Sequence, residues 1–407
     1  MEANTITTTE YYELIKESLQ CKNFIGLVGK NLTNVKFERK TFGNSNLNLS
    51  KTILSGLDLS EFNFVWAILN EANLDSCDLY LADLSNVKFQ NASLKNADLR
   101  KANLLQADLT GANLTGADLS YADLRNANLS GANLTDAKLI NANLAMACLK
   151  KVNFNNADLT KANLRSDTPE KRYSHNNNQY NFIDLKNANL EGVILKGTLY
   201  DEHTRFPIGF DPKETGAYLI APDVSLEKAD LSNADLSGAN LSGANLSKAN
   251  MTGVNLFKTN LSGANLTQAK IIIKAPVIAS FKCSIANIKL EQTNLSQATI
   301  IGFRPARSCT YLKGANFQGS IFSDVSFECA ELMGANFSDL NLNSVNFMDA
   351  KLTGANFRNC SLRGANFFRA VLHGVNFKGA DLSGVTLQEY QIKDAIMPDD
   401  FNLKQNS

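Results

Sequence analysis

The chain has 407 residues with 40 basic and 40 acidic side chains, so its formal net charge is zero and neither a polycation for nucleic acid nor an acidic tail is written into it. No run reaches the ~18 consecutive apolar residues of a membrane helix, and Met1-Glu2-Ala3-Asn4-Thr5 does not begin a basic, then apolar, secretory leader. Seven scattered cysteines, an odd number, fit reduced thiols in a cytoplasmic protein better than a disulfide framework.

Residues 1–22 do not repeat. Glu10 to Leu19 sets Tyr11, Leu14, Ile15 and Leu19 on one helical face behind threonine N-cap candidates, which predicts a short helix closing the open end of the neighbouring coils. From Leu27 to Leu47 large apolar residues fall on every fifth position (Leu27, Leu32, Phe37, Phe42, Leu47), but Lys30, Lys40 and Ser45 sit two places before three of them. The frame then slips before Leu54, so irregular coils are expected here.

From Leu54 to Leu164, Leu or Phe occupies every fifth residue without a break, usually with Ala two places earlier, as in Gly111-Ala112-Asn113-Leu114-Thr115 and Gly116-Ala117-Asp118-Leu119-Ser120. A period of five matches neither the helical 3.6 nor the strand 2. It closes only if each unit makes one side of a polygon and then turns a corner. With Leu or Phe as position 0, positions −2 and 0 point inward and −1, +1 and +2 outward, Ser120 among the outward ones. Position +2 is often Gly or Asn (Asn96, Gly111, Gly116, Asn126, Gly131, Gly238, Gly243, Gly263), the residues that best tolerate the positive φ at the third place of a type II turn. Four sides make a coil of about 20 residues, and coils stack at roughly 4.8 Å.

These residues resemble the pentapeptide-repeat family, whose pattern is Ala-(Asp or Asn)-Leu-X-X, and the resemblance runs from about Asn23 to about Ala395, with the look of a cyanobacterial member. It implies an all-β fold, a right-handed quadrilateral β-helix, here with a short N-terminal helix. It implies no single activity, because family members share an architecture rather than a chemistry.

Beyond Leu164 the frame is interrupted at 165–182 by charged, Asn-rich loop chemistry, and resumes at Leu185, Leu190 and Leu195. A second interruption, about Leu199 to Ser225, holds Phe206-Pro207 and Phe210-Asp211-Pro212 and predicts a compact loop against the coil. The repeat returns from Leu226 to Ile271, breaks near 272–284 and 301–311, and runs again from Leu312 to Ile392 with alternating Phe and Leu. At four units per coil, Phe337, Phe357 and Phe377 fall in one column and Phe347 and Phe367 in the opposite one. The expected organisation is a cap at 1–22, β-helix at 23–164, an interrupted region at 165–225, β-helix at 226–395 and a tail at 396–407.

Asp98, Asp108, Asp118 and Asp123 at position −1 form outward columns beside solvent on a convex surface, where nothing perturbs a carboxyl for catalysis. There is no nucleophile elbow, phosphate loop or dinucleotide fingerprint. With only His175, His203 and His373 and no Cys-X-X-Cys pair, no metal, cofactor or catalytic residue is expected. Cys77, Cys283 and Cys360 occupy the inward −2 slot, where Cys serves as a small hydrophobe.

The reading is therefore a non-enzymatic interaction or scaffold solenoid offering flat faces to a protein partner, with no direct nucleic-acid binding and no membrane association. Some members of the family imitate duplex DNA toward DNA gyrase. A mimic about 75 Å long would need on the order of 40 net negative charges at one per ~1.7 Å, and this chain has none. That makes topoisomerase regulation the alternative. Projected on the 20-residue coil, one corner of the regular block gathers Tyr80, Leu81, Arg100, Lys101, Tyr121 and Ile140 among columns of Ser, Thr, Gly, Asn and Asp. Tyr and Arg with aliphatic neighbours is the composition of an interface, so these six are the candidate partner-binding residues. The competing occupant of that face is the 165–182 loop, with Tyr173 and Tyr180, folded back over it.

Overall fold

A computed structural model describes residues 5–11, 13, 27–36, 47–166, 182–272, 290, 293–296, 298–301, 310–323, 325–399 and 401. The chain divides into two compact units, Met1–Leu219 and Ile220–Ser407. Each is a β-solenoid in which almost every five-residue unit contributes one parallel bridge, made by its −1 residue, to the residue 20 positions on: Asp58 to Asp78 to Asp98 to Asp118, Asn73 to Ser93 to Asn113, Asn316 to Asn336 to Asn356. Four units therefore separate successive partners.

The wall is closed by a fixed set of backbone bonds. At Leu114, the position 0 N–H donates to Asn133 of the next coil (2.7 Å), the +2 N–H of Gly116 to Thr135 (2.9 Å), and the −1 N–H of Asn113 to Ala92 of the coil before (2.9 Å). The corner is tied by Ala117 N–H to Leu114 C=O (3.0 Å), with Gly116 at φ +67°. Side chains complete it: the −1 Asn or Asp carbonyl or carboxylate oxygen accepts the +1 N–H of its own unit, as Asn113 does from Thr115 (3.1 Å) and Asp118 from Ser120 (2.9 Å). This is why −1 favours Asp and Asn, whose short side chains mimic a backbone turn. The same amides bond along the column, Asn336 to Asn316 and Asn356 to Asn336 at 2.9 Å each.

The inward register is as the sequence requires. In the first unit Ala112, Leu114, Ala117 and Leu119 are fully buried, and in the second Ala335, Phe337, Ala355 and Phe357 are too. Polar residues in the −2 slot find a carbonyl: the Cys77 and Cys360 thiols donate to Leu54 and Phe337 at 2.9 Å each, and the Thr259 hydroxyl to Leu236 at 2.8 Å. Burial pushes both thiols up to about 11; Cys283 lies outside the described residues.

Two details differ from expectation. The frame re-enters at Leu49, with Leu47 in the −2 slot beneath it, rather than at Leu54. Ser120 keeps its place in the +1 column but is only 8% exposed. It stands in one +1 column between Arg100 and Ile140, whose longer side chains shade it at the spacing of stacked coils.

The interruptions enlarge single coils without losing register. Asn153 pairs with Asn189, Asp158 with Ile194, and β1 (Asn163–Leu164) with β2 (Leu199–Tyr200), each 36 positions on. β2 pairs in turn with β3 (Tyr218–Leu219), and Asp184 with Arg205, so 199–218 is itself a turn of the solenoid. Buried Arg165, Ser166 and Asp201 seal this junction, the Asp201 carboxylate accepting the Ser166 and His203 N–H groups and the Thr204 hydroxyl. In the second unit β4 (Asn250–Thr252), β5 (Lys270–Ile272), β6 (Thr299–Ile301) and β7 (Ile321–Ser323) form a four-stranded parallel sheet across the two later breaks.

The second unit ends in a ring-filled core. Phe317, Phe337, Phe357 and Phe377 stack with centroids 4.8–5.4 Å apart, and Phe327, Phe347 and Phe367 at 5.0–5.4 Å. The two expected columns also touch each other edge-to-face at 5.5–5.9 Å across the coil. A 3-10 turn, Glu389–Gln391, closes part of the far end, the Gln391 amide donating to Phe367 and Ala370 carbonyls.

At the other end of the chain, Thr7 and Glu10 form a reciprocal capping box: the Thr7 N–H donates to the Glu10 carboxylate (2.7 Å) and the Glu10 N–H to the Thr7 hydroxyl (3.3 Å). That bond from Thr7 holds the Glu10 carboxyl below the usual range. Most of the helix expected from Glu10 to Leu19 lies outside the described residues.

Candidate partner-binding site

The six residues picked from the sequence come from consecutive coils of the first unit. The Leu81 N–H donates to the Arg100 carbonyl (3.1 Å), the Lys101 N–H to Ser120 (3.0 Å) and the Tyr121 N–H to Ile140 (2.9 Å), so +1 and +2 residues are stacked rung by rung along one corner. The Tyr80 ring collects two cations: the Arg100 guanidinium carbon lies 5.6 Å and the Lys101 ammonium 5.5 Å from its centroid, and that ammonium also donates to the Tyr80 hydroxyl at 3.2 Å. Leu81 is 45% and Tyr121 55% exposed, whereas Tyr80 and Ile140 are half-buried against the wall.

The backbone gives these side chains their meaning. Leu81, Lys101 and Tyr121 sit at φ +56°, +58° and +62°, and Trp66 on the next corner at +64°. Bulky residues are rare in this left-handed region, where Gly and Asn are at ease. Gly111, Gly116 and Gly131 hold the same conformation in neighbouring columns. Glu61, Gln106 and Met146 hold it too, so what distinguishes Leu81 and Tyr121 is a large apolar side chain displayed to solvent from such a corner.

Beside the corner runs a column that sequence reading had not assembled. Asp58, Asp78, Asp98 and Asp118 are bridged in succession, whereas Asp108 and Asp123 belong to two other faces. Asp98 is ion-paired with Arg100 two residues on, through Nε (2.8 Å) and Nη2 (2.5 Å). The guanidinium's hydrogen bonds hold the Asp98 carboxyl below its usual range and raise the arginine. Asp123 and Arg125 repeat the pair, so the signal was legible as the triplet Asp-Leu-Arg at 98–100 and 123–125. The tie fixes the Arg100 side chain over Tyr80, where it presents a planar cation with little left to order.

Among the described residues no group of His, Cys, Asp and Glu could hold a metal ion, and no helix is long and apolar enough to cross a membrane. What the corner can do chemically is bind: it offers rings, aliphatic side chains and fixed cations, with no nucleophile beside a base.

A solenoid of parallel rungs with five-residue sides and Ala-(Asn/Asp)-Leu triplets, Ala and Leu inward, defines the class of β-helical repeat proteins. The pentapeptide-repeat family model matches residues 48–86, 77–116, 117–156, 137–166 and 229–268, and the model described as "pentapeptide repeat region" matches 320–396. Together they span more than half of the chain, which belongs to the pentapeptide-repeat family.

Among solved structures, the pentapeptide repeat protein alr5209 from Nostoc PCC 7120 is 35% identical over 30% of this chain and 84% of its own, with a TM-score of 0.18. HetL, a pentapeptide repeat protein involved in heterocyst differentiation regulation in the cyanobacterium Nostoc sp. strain PCC 7120, is 24% identical over 76% of this chain and 88% of its own (TM-score 0.21). QnrB1, a plasmid-mediated fluoroquinolone resistance protein, is 14% identical over 66% and 89% (TM-score 0.22). No curated protein matches the chain.

Proposed function

We propose that this protein is a non-enzymatic, cytoplasmic interaction solenoid, a right-handed quadrilateral β-helix whose first unit binds a protein partner through Tyr80, Leu81, Arg100, Lys101, Tyr121 and Ile140. One observation carries the reading: Leu81 and Tyr121, 45% and 55% exposed, stand beside a Tyr80 ring that holds the Arg100 and Lys101 cations. The Tyr80–Arg100–Lys101 cluster supplies the ring and the guanidinium that dominate interface hot spots.

The aspartate column favours the second reading, regulation of a topoisomerase by imitation of DNA. Charge density counts against it. One carboxylate per coil is one per ~4.8 Å, against one per ~1.7 Å of duplex, and Arg100 neutralises the third of the four.

Changing Tyr80 and Tyr121 together to Ser tests the proposal. Capture of the partner from native cell extract should be lost while the melting temperature stays within a degree or two of wild type, both rings lying outside the wall. Capture that survives removes the patch; inhibition of gyrase supercoiling by the purified protein would install the second reading.

A further inference from the structure

The last turn of the first unit carries an apolar knob. Pro207-Ile208-Gly209-Phe210 is a tight turn closed by Phe210 N–H to Pro207 C=O (3.1 Å), with Gly209 at φ +82°. Ile208 at its tip is wholly exposed. The turn is stiffened from below: Phe206 stacks on Phe210 (5.5 Å) and meets Tyr200 edge-to-face (5.5 Å), and the Arg205 guanidinium lies 3.6 Å from the Phe182 ring centroid. No described group donates to the Ile208 or Gly209 carbonyls. A rigid turn holding a β-branched side chain fully in water gains nothing for its own unit.

The second unit carries a complementary groove. At most rungs of the last array the −1 residue bridges the residue 20 positions on, but Asn366 makes no bridge onward to Thr386. The N–H groups of Phe367 and Arg369 and the carbonyl of Ala365 are left without partners among the described residues. A groove of about 780 Å³ opens there, lined by Met348, Phe367, Phe368, Thr386 and Tyr390. Phe368 is 61% and Tyr390 70% exposed on its rim. That volume suits a turn rather than one side chain. Its bare N–H donors match the bare carbonyls of the Pro207–Phe210 turn, its rings match Ile208, and Glu389, next to Tyr390, has an opposite charge to meet in Arg205, while Arg369 is already paired with Asp349 at 2.9 Å.

We propose that the occupant of the Phe368–Tyr390 groove is the Ile208 turn of a second copy of this chain. Knob and groove are different surfaces, so the contact is heterologous and copies join head to tail rather than as a closed pair. The contact is independent of the Tyr80 corner, so neither reading stands on the other.

Sedimentation velocity of the full chain across a hundredfold concentration range tests it. The mean mass should rise past that of a dimer. Ile208→Asp and Tyr390→Asp should each weaken association at least about tenfold, as loss of an anchor does, with melting temperatures unchanged because both side chains are exposed. An equimolar mixture of the two variants should form dimers and nothing larger, since each keeps one intact half. A wild-type chain that stays monomeric overturns the proposal. So does undiminished association of either variant, or a mixture that fails to recover dimers.

Discussion

The regular block at 49–166 and the last array at 310–396 use one backbone register and two core chemistries. Leu99, Leu119 and Leu139 fill a column of the first, while Phe317, Phe337, Phe357 and Phe377 fill a column of the second. The hydrogen-bonded wall is the same in both, so position 0 demands only a large apolar side chain. The rings add direction, because edge-to-face contacts between columns work only if every neighbour is also a ring.

The corners differ as well. Gly314, Gly334, Gly354 and Gly374 occupy one corner of the array in succession, and a Cβ at the last three would meet nothing within 4 Å. Space is therefore not what keeps that corner bare. The left-handed backbone suits Gly there, but Glu61, Lys101 and Met146 hold it elsewhere, so exposure of an apolar side chain and not φ sets Leu81 and Tyr121 apart.

The comparison breaks most severely at what both regions share. Leu119→Lys buries an unpaired charge and should destabilise by about 4–5 kcal/mol in urea unfolding followed by circular dichroism; a loss below about 1 kcal/mol would mean the inward register is misassigned. Exchanging the two chemistries sharpens it. Phe347→Leu removes two stacked and two edge-to-face pairs at about 0.5–1 kcal/mol each, for about 2–4 kcal/mol in all. Leu119→Phe forces a ring among leucines and should lose about 1–3 kcal/mol by overpacking. Should Leu119→Phe stabilise, the block has room for rings and the two cores are interchangeable.

At the corner, the sign reverses. Leu81→Gly relieves a left-handed backbone and should hold or raise stability by up to about 1 kcal/mol while weakening partner capture. A clear loss of stability would show that Leu81 packs for the fold.

The smallest effect is a matter of pH. Bonds from the Ser383 hydroxyl and N–H, with help from Arg363, lower the exposed Asp381 carboxyl to about 2 from the ordinary 3.8. Its contribution is complete above pH about 4 and disappears as pH falls toward 2, because the folded chain then must take up the proton that the unfolded chain already holds. The melting temperature of Asp381→Asn should therefore fall less steeply than that of wild type over that interval, and parallel curves would remove the assignment.

Much of this was legible because a period of five admits few geometries. Leu at every fifth residue set the inward face, and Gly or Asn at +2 set the corner, as positive φ at Asn96, Gly111 and Gly116 bears out. The short-range role of Asp and Asn at −1 was not read, because an outward carboxylate on a strand looks like solvated surface until the N–H two residues on is seen to lack another partner. The low exposure of Ser120 was not legible because it depends on residues 20 away on either side. The coil at 199–218 hid behind Pro207 and Pro212, which disrupt the leucine frame while the backbone still pairs Leu199 with Tyr218. The knob at Ile208 looked like part of a compact loop, since sequence does not say which apolar residue of a turn faces water.

The 36-position partners of Asn153, Asp158 and Asn163 show how such a chain treats errors in its length. Taken as a one-dimensional crystal with a translation of 20 residues, the wall absorbs the surplus as an interstitial, and the coils beyond resume their sites. A deletion of five residues would be another kind of defect. Cutting out Ala107–Gly111 would leave every leucine inside and every turn at a corner, yet turn each later column by one face. Tyr121 would leave the corner it shares with Leu81 and Lys101, and Asp123 would take the place of Asp118 in the aspartate column. The interior cannot tell one face from the next. Only the outside records which residue belongs above which, so the count of residues between Tyr80 and Tyr121 is information held by the surface alone.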